Sequence, residues 1–223
     1  MVEKLDRKKR KKVVLTKYIV VFLASAFIFT LGIILGQQIG HMKTASLNKV
    51  MEDMKTDIAS AELHYILSTE NPCDLTGLNE LASELDKMSN QIWELEKAYG
   101  KNNEDVLRLA NYYSTLQIRH WILAKDISNE CDEKYSLILF FYSNIEGECK
   151  RCEEQGDNIA VLREKDEGMY TYAFNINLNN LAFNTLKSRY NVSKTEIPVI
   201  IINDKKYTGF KTIKKLQEII YEE

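Results

Sequence analysis

The sequence predicts an α/β domain at its carboxy-terminal end, preceded by one transmembrane helix and an all-α segment of three helices. Three observations lead to this fold class. An uncharged apolar stretch follows a basic start, apolar residues then recur in alternating steps of three and four, and beyond residue 132 short apolar runs alternate with helical patterns. The expected organisation is a basic cytoplasmic tail over 1–12, a transmembrane anchor over 13–36, a three-helix bundle over 37–131 and the α/β domain over 132–223.

The first 36 residues consist of a basic stretch followed by an apolar stretch. They carry eight Lys/Arg and two Asp/Glu, a net charge of +6, so the rest of the chain carries −8 against an overall −2. No charged residue lies from Tyr18 to Leu35, and this span favours an anchor that crosses a hydrocarbon core of about 30 Å. Since a basic flank stays in the cytoplasm, we expect a single-pass protein with a cytoplasmic amino terminus and an extracytoplasmic carboxy-terminal domain. The alternative is a cleaved signal peptide, whose apolar region is shorter, about 7 to 15 residues.

This orientation sets the expected partners and the redox context. Membrane lipid is an expected partner, whereas nucleic acid is not, because binding by counterion release needs a basic face on a folded domain and the chain beyond the anchor is acidic. The four cysteines (Cys73, Cys131, Cys149 and Cys152) would all lie on the exported side, where disulfides persist. Zinc is a weaker alternative, since one C-x-x-C supplies only half of a four-ligand site. We expect no metal and no cofactor.

Three consecutive segments repeat apolar residues at heptad-like spacing. These stripes run over 47–65, 78–95 and 106–127, and the stretches "TENPCDLTG" and "YGKNNED" separate them. Such spacing keeps one face of each helix against a neighbour, so we expect an up-down-up bundle. His120 lies on the third stripe and is expected to be a core residue. The alternative is an intermolecular coiled coil, which would make a homodimer through the helical segment.

The bundle topology brings Cys73 and Cys131 to the same pole. Cys73 is in the loop after the first helix and Cys131 follows the third, so the two could approach the Cα spacing of a disulfide, about 5 to 6 Å. We expect a structural disulfide between them; the alternative is two buried free thiols.

The carboxy-terminal pattern changes from helical stripes to strands and helices in alternation. "KYSLILFFYS", "MYTYAFNIN", "PVIIIN" and "YTGF" are typical of strands, the last two joined by a tight turn at "DKK". Helices are expected from the C-x-x-C pair to about Arg163, in "LAFNTLKSRY" and in "KTIKKLQEIIYEE". The order β-α-β-α-β-β-α predicts a mixed sheet covered by helices.

Motifs in this region occur in the order found in one superfamily. The C-x-x-C of Cys149 and Cys152 follows the first strand and opens a helix, and "IPVIIINDKKYTGF" supplies an Ile-Pro, a strand, a turn and a glycine. Residues 133–223 therefore resemble the thioredoxin-like superfamily. The resemblance implies a thiol–disulfide oxidoreductase that acts on protein thiols and disulfides and exchanges electrons with a membrane or soluble redox partner. It also implies a cis Pro198 beside the pair and a backbone at Ile197 that binds substrate.

The chemistry of the pair also follows from general principles. A cysteine at a helix N-terminus is favoured as a thiolate, so Cys149 is expected to attack and Cys152, one turn on, to resolve the mixed disulfide. Lys150 and Arg151 should lower the pKa of Cys149, while Glu148 should raise it. The sequence departs from the family in lacking a tryptophan before the pair and a buried acid in the first strand. The alternative function is a non-catalytic, membrane-anchored binding or dimerisation module in which the C-x-x-C is a structural disulfide.

Overall fold

The computed structural model describes residues 18, 20–34, 49–50, 52–53, 56–67, 73, 75–131, 133–166 and 168–221. The chain forms two compact units, Met1–Val50 and Met51–Glu223. The predicted basic tail over 1–12 lies outside the described residues.

The first unit contains a helical stretch at 20–34. Within the described ranges, no helix is long and apolar enough to cross a membrane. The fold class predicted from the sequence is therefore wrong in its transmembrane helix over 13–36. The side of a membrane on which the cysteines lie stays a prediction.

The second unit begins with helices that bury the predicted stripes. A helical stretch at 56–67 is followed by α1 (Leu75–Tyr99) and α2 (Glu104–Glu130). Asn103 caps α2, because its side-chain oxygen accepts hydrogen bonds from the backbone N–H groups of the first turn. The residues buried along α1 and α2 include most of the two predicted stripes: Leu78, Leu81, Leu85, Met88, Ile92, Leu95, Val106, Leu109, Leu116, His120, Leu123 and Ile127.

Four strands form one mixed sheet. They are β1 (Ser136–Tyr142), β2 (Met169–Asn175), β3 (Val199–Ile202) and β4 (Lys205–Thr208), in the order β2-β1-β3-β4. β1 pairs with β2 in parallel and with β3 antiparallel, and β3 pairs with β4 antiparallel. The last strand begins two residues earlier than "YTGF", because Asn203 and Asp204 form the turn with positive φ, a conformation that Asn and Asp tolerate.

Helices cover both faces of this sheet. The remaining helices are α3 (Cys152–Arg163), α4 (Leu181–Arg189) and α5 (Ile213–Tyr221). Side chains alternate along β1, so Leu139 and Phe141 pack with α1, α2 and α4, while Ile138 and Phe140 pack with α3 and α5. The helical segment and the sheet thus share one hydrophobic core.

His120 connects the helical segment to the sheet. Its Nε2 lies 3.0 Å from the Leu78 carbonyl oxygen and its Nδ1 lies 2.7 Å from the Tyr172 hydroxyl. Burial lowers the pKa of His120 to about 4, so the ring is neutral near pH 7. The carbonyl can only accept, so Nε2 carries the proton and Nδ1 accepts from the tyrosine. His120 is a core residue with both nitrogens satisfied.

A disulfide closes the helical segment. Cys73 and Cys131 are bonded, with a Cα–Cα distance of 5.7 Å and a sequence separation of 58. This is the pairing that the sequence favours. The bridge joins Cys73, two positions before α1, to Cys131, directly after α2, so both long helices lie inside the closed loop.

Replacing Cys73 and Cys131 together by alanine should lower the free energy of unfolding by about 4 kcal/mol, because the closed loop is long and its cross-link restricts the unfolded chain. Urea unfolding followed by circular dichroism measures the loss. The matched control is the pair of alanine substitutions at Cys149 and Cys152. Because this disulfide closes a short loop, its removal should lower the free energy of unfolding by only about 2 kcal/mol on the same model. A larger loss for the control than for the Cys73/Cys131 variant would contradict this account.

Candidate functional site

The two cysteines of the C-x-x-C are bonded to each other between β1 and α3. Their Cα atoms are 5.6 Å apart. Cys152 is 5% exposed and packs in the core between the sheet and α3, whereas Cys149 lies partly exposed at the edge of the same cluster. Cys149 is therefore the more accessible of the two residues to an approaching thiol or disulfide.

The start of α3 differs from the sequence-based expectation. The helix begins at Cys152, with Arg151 as its N-cap, and the Gln155 N–H donates to the Arg151 carbonyl at 3.0 Å. Cys149 lies in the turn before the helix rather than at its first position. The unpaired N–H groups of the first helical turn begin at Cys152, and they give this end of α3 a partial positive charge next to both sulfurs.

Ile197 and Pro198 lie on the β3 side of the pair. The Ile197–Pro198 peptide bond is cis, and the Pro198 carbonyl accepts a hydrogen bond from the Gly209 N–H at 2.8 Å. Ile197 is partly exposed and packs against the same apolar cluster as Cys149 and Cys152. The structure thus brings Ile197, one of the two residues singled out as substrate-binding, to the same cluster as the cysteines, and Pro198 follows it in the chain.

Glu148, directly before Cys149 in the chain, is held by three partners. Lys194 Nζ lies 2.6 Å from its Oε1, and Ser143 Oγ and Asn177 Nδ2 donate to its Oε2 at 2.7 and 2.9 Å. The hydrogen bond from Lys194, followed by those from Ser143 and Asn177, lowers the pKa of Glu148 to about 2. The carboxylate is therefore fixed and compensated beside Cys149.

The two basic residues inside the motif differ in their surroundings. Arg151 makes two hydrogen bonds with Glu154, of 2.8 and 2.7 Å, and its guanidinium carbon lies 3.3 Å from the centre of the Phe210 ring. Lys150 is exposed and has no ion-pair partner among the residues that the structure describes. Of the three charges expected to tune Cys149, those of Arg151 and Glu148 are paired, so Lys150 is the uncompensated one.

A chain of side-chain amides links this loop to the helical segment. Asn144 Nδ2 donates to Glu96 Oε1 at 3.1 Å, and Asn175 Nδ2 donates to Asn144 Oδ1 at 2.8 Å. Burial raises the pKa of Glu96, although the hydrogen bond from Asn144 and the charge of Lys101 oppose the shift. The end of α1 is thereby fixed to the loop that carries the C-x-x-C.

These contacts were not found from the sequence, although one signal was present. Asn144 follows β1, and Asn175 and Asn177 lie at the end of β2. Because β1 and β2 are parallel neighbours, their carboxyl ends meet at one edge of the sheet. Polar residues after two successive apolar strands could have predicted this cluster, whereas Glu96 and Lys194 reach it only through tertiary contacts.

An open groove with a volume of about 990 Å³ lies beside the disulfide. α1 contributes Trp93, Glu96 and Lys97, and α3 together with the preceding loop contributes the other side, including both cysteines. Phe140 and Tyr142 of β1 also line it. Across the described ranges, no group of three or more His, Cys, Asp or Glu side chains could hold a metal ion.

Comparison with known proteins adds no relative. No protein-family model, no curated protein and no solved structure matches the chain.

Replacing Lys194 by methionine should raise the pKa of Glu148 from about 2 towards its ordinary value, because the ammonium is the largest cause of the shift. NMR titration of the Glu148 carboxyl carbon measures this pKa. In the reduced protein the uncompensated carboxylate should also raise the pKa of Cys149, which the pH dependence of thiol alkylation reports. Lys215→Met is the matched control, since Lys215 pairs with Glu218 on α5. An unchanged Glu148 titration in the Lys194 variant would show that the ion pair does not form in solution.

Proposed function

We propose that the protein is a thiol–disulfide oxidoreductase that acts on protein disulfides through Cys149 and Cys152. The observation that carries this proposal is the unequal exposure of two bonded cysteines: Cys149 is partly exposed, whereas Cys152 is 5% exposed and packs in the core. A nucleophile must be exposed, and a resolving thiol must be close to it but protected from other reactions. The resemblance of residues 133–223 to the thioredoxin-like superfamily supports the same function.

The reaction begins with the reduced protein. The Cys149 thiolate attacks one sulfur of a client disulfide; the client S–S bond breaks, one client thiolate leaves, and a mixed disulfide forms. Cys152 then loses its proton and attacks the Cys149 sulfur. The Cys149–Cys152 bond forms, the second client thiol is released, and two electrons have passed from the protein to the client. In the opposite direction the same steps oxidise a client dithiol.

The surroundings supply the conditions for these steps. The positive end of α3 and the charge of Lys150 stabilise a thiolate at Cys149, and Lys194 compensates the nearby Glu148 carboxylate. Turnover needs a membrane or soluble redox partner that restores the starting state, and no cofactor. We place the activity outside the cytoplasm, where the Cys73–Cys131 disulfide would persist.

Replacing Cys152 by serine should make the protein accumulate mixed disulfides with client proteins, because attack by Cys149 remains and resolution is lost. Non-reducing electrophoresis of extracts, with and without reductant, measures the adducts. Cys149→Ser is the matched variant and should trap few or none, since Cys152 is buried.

The opposite outcome favours the alternative function. If both variants fold and neither traps a client, the Cys149–Cys152 bond is a structural disulfide and the protein is a binding or dimerisation module.

A further inference from the structure

The groove beside the disulfide has one wall that comes from the helical segment. Its described lining includes Cys149 and Cys152 but neither Ile197 nor Pro198, so it lies on a different side of the pair from the cis peptide bond. A volume of about 990 Å³ is at the upper end of the range for ligand-binding clefts, about 300–1,000 Å³. When the disulfide of a client reaches Cys149, the client residues that flank this disulfide would lie in the groove.

The groove exposes apolar side chains where a client would lie. Trp93, on α1, is 54% exposed, and Ile145, in the loop before the cysteines, is 39% exposed. The Lys97 ammonium lies 2.9 Å from the centre of the Trp93 ring. A half-exposed tryptophan at a concave surface is typical of an anchor that becomes buried when a partner binds.

The α3 wall of the groove is acidic. Glu153 and Asp157 lie four residues apart, both exposed, and neither has an ion-pair partner among the described residues. Two other charges of this wall and loop are paired elsewhere, Arg163 with Asp86 and Arg151 with Glu154. A cationic side chain on a bound client would therefore meet uncompensated carboxylates on this wall.

We propose that α1 and α3 together select the client, and that the groove binds an extended protein segment in which an aromatic or aliphatic residue and a Lys or Arg lie close to the disulfide. The apolar residue packs on Trp93 and the basic residue faces Glu153 and Asp157. The proposal deepens the proposed function and rests on it, because the groove is useful to a client only if Cys149 attacks its disulfide. It also gives the helical segment a role in substrate recognition.

The test uses the reduced protein and three disulfides. Two are synthetic peptides with one intramolecular disulfide each, flanked by Phe and Arg in the first and by Ser and Glu in the second; the third is 2-hydroxyethyl disulfide, which is too small to fill the groove. Stopped-flow tryptophan fluorescence or thiol quantification gives each rate. The Phe/Arg peptide should react about tenfold faster than the Ser/Glu peptide, and the difference should shrink as salt rises.

Substitutions in each wall of the groove test how much that wall contributes to the preference for the Phe/Arg peptide. Trp93→Ala should lower the rate with the Phe/Arg peptide relative to that with 2-hydroxyethyl disulfide, by about tenfold. Glu153→Gln with Asp157→Asn should reduce the preference for Arg over Glu several-fold and lessen its salt dependence. The matched controls are Tyr112→Ala, a 51% exposed residue of α2 outside the groove, and Asp126→Asn with Glu130→Gln, two exposed acids of α2 with the same spacing. The controls should behave as the wild type.

The outcomes separate this inference from the proposed function. Equal rates with the two peptides, or equal changes in the groove variants and in their controls, would overturn client selection by the groove while the exchange activity remains. Absence of reaction with all three disulfides would overturn the oxidoreductase proposal, and client selection with it.

Discussion

The burial of β1 on both faces determines most of the structure. Its five central residues are buried, with one set of side chains against α1, α2 and α4 and the alternate set against α3 and α5. Fully burying a large apolar side chain stabilises by about 1.5–3 kcal/mol, so a shift of this strand by one residue would exchange the two sets and lose the packing of both layers. The register of β1 in turn fixes where the chain leaves the sheet, at Tyr142, seven positions before Cys149.

That exit point explains the geometry of the cysteines. The loop after Tyr142 lies next to the end of the parallel strand β2. The side-chain amides of Asn144 and Asn175 bond to each other, and Glu96 and Lys194 bind Asn144 and Glu148 of the same loop. α3 then returns over the sheet and carries Cys152 into the core, while Cys149 stays at the edge. The different exposure of the two cysteines is a consequence of this path. Because Glu96 is on α1, the helical segment takes part in positioning the site.

Much of this arrangement was predictable from local patterns. The continuous apolar run of β1, the heptad-like stripes of α1 and α2 and the turn at Asn203 and Asp204 depend on nearby residues, and the first two were predicted from the sequence. The transmembrane helix predicted over 13–36 was wrong, because no helix among the described residues is long and apolar enough to cross a membrane. The start of α3 was placed at Cys149 rather than Cys152, since no Ser, Thr, Asp or Asn marks the N-cap. The Lys194–Glu148 pair and the α1 wall of the groove join residues far apart in the chain, and no local pattern encodes such contacts.

The most direct test of the central claim, that Cys149 and Cys152 form an exchangeable couple, is its reduction potential. Equilibration of the purified protein in glutathione buffers, with alkylation and mass spectrometry to assign each disulfide, gives the value for each pair. The account predicts a potential between about −270 and −120 mV for Cys149–Cys152, the range of thiol–disulfide oxidoreductases, while Cys73–Cys131 stays oxidised under the same conditions. A potential below about −300 mV for Cys149–Cys152, typical of structural disulfides, would contradict it.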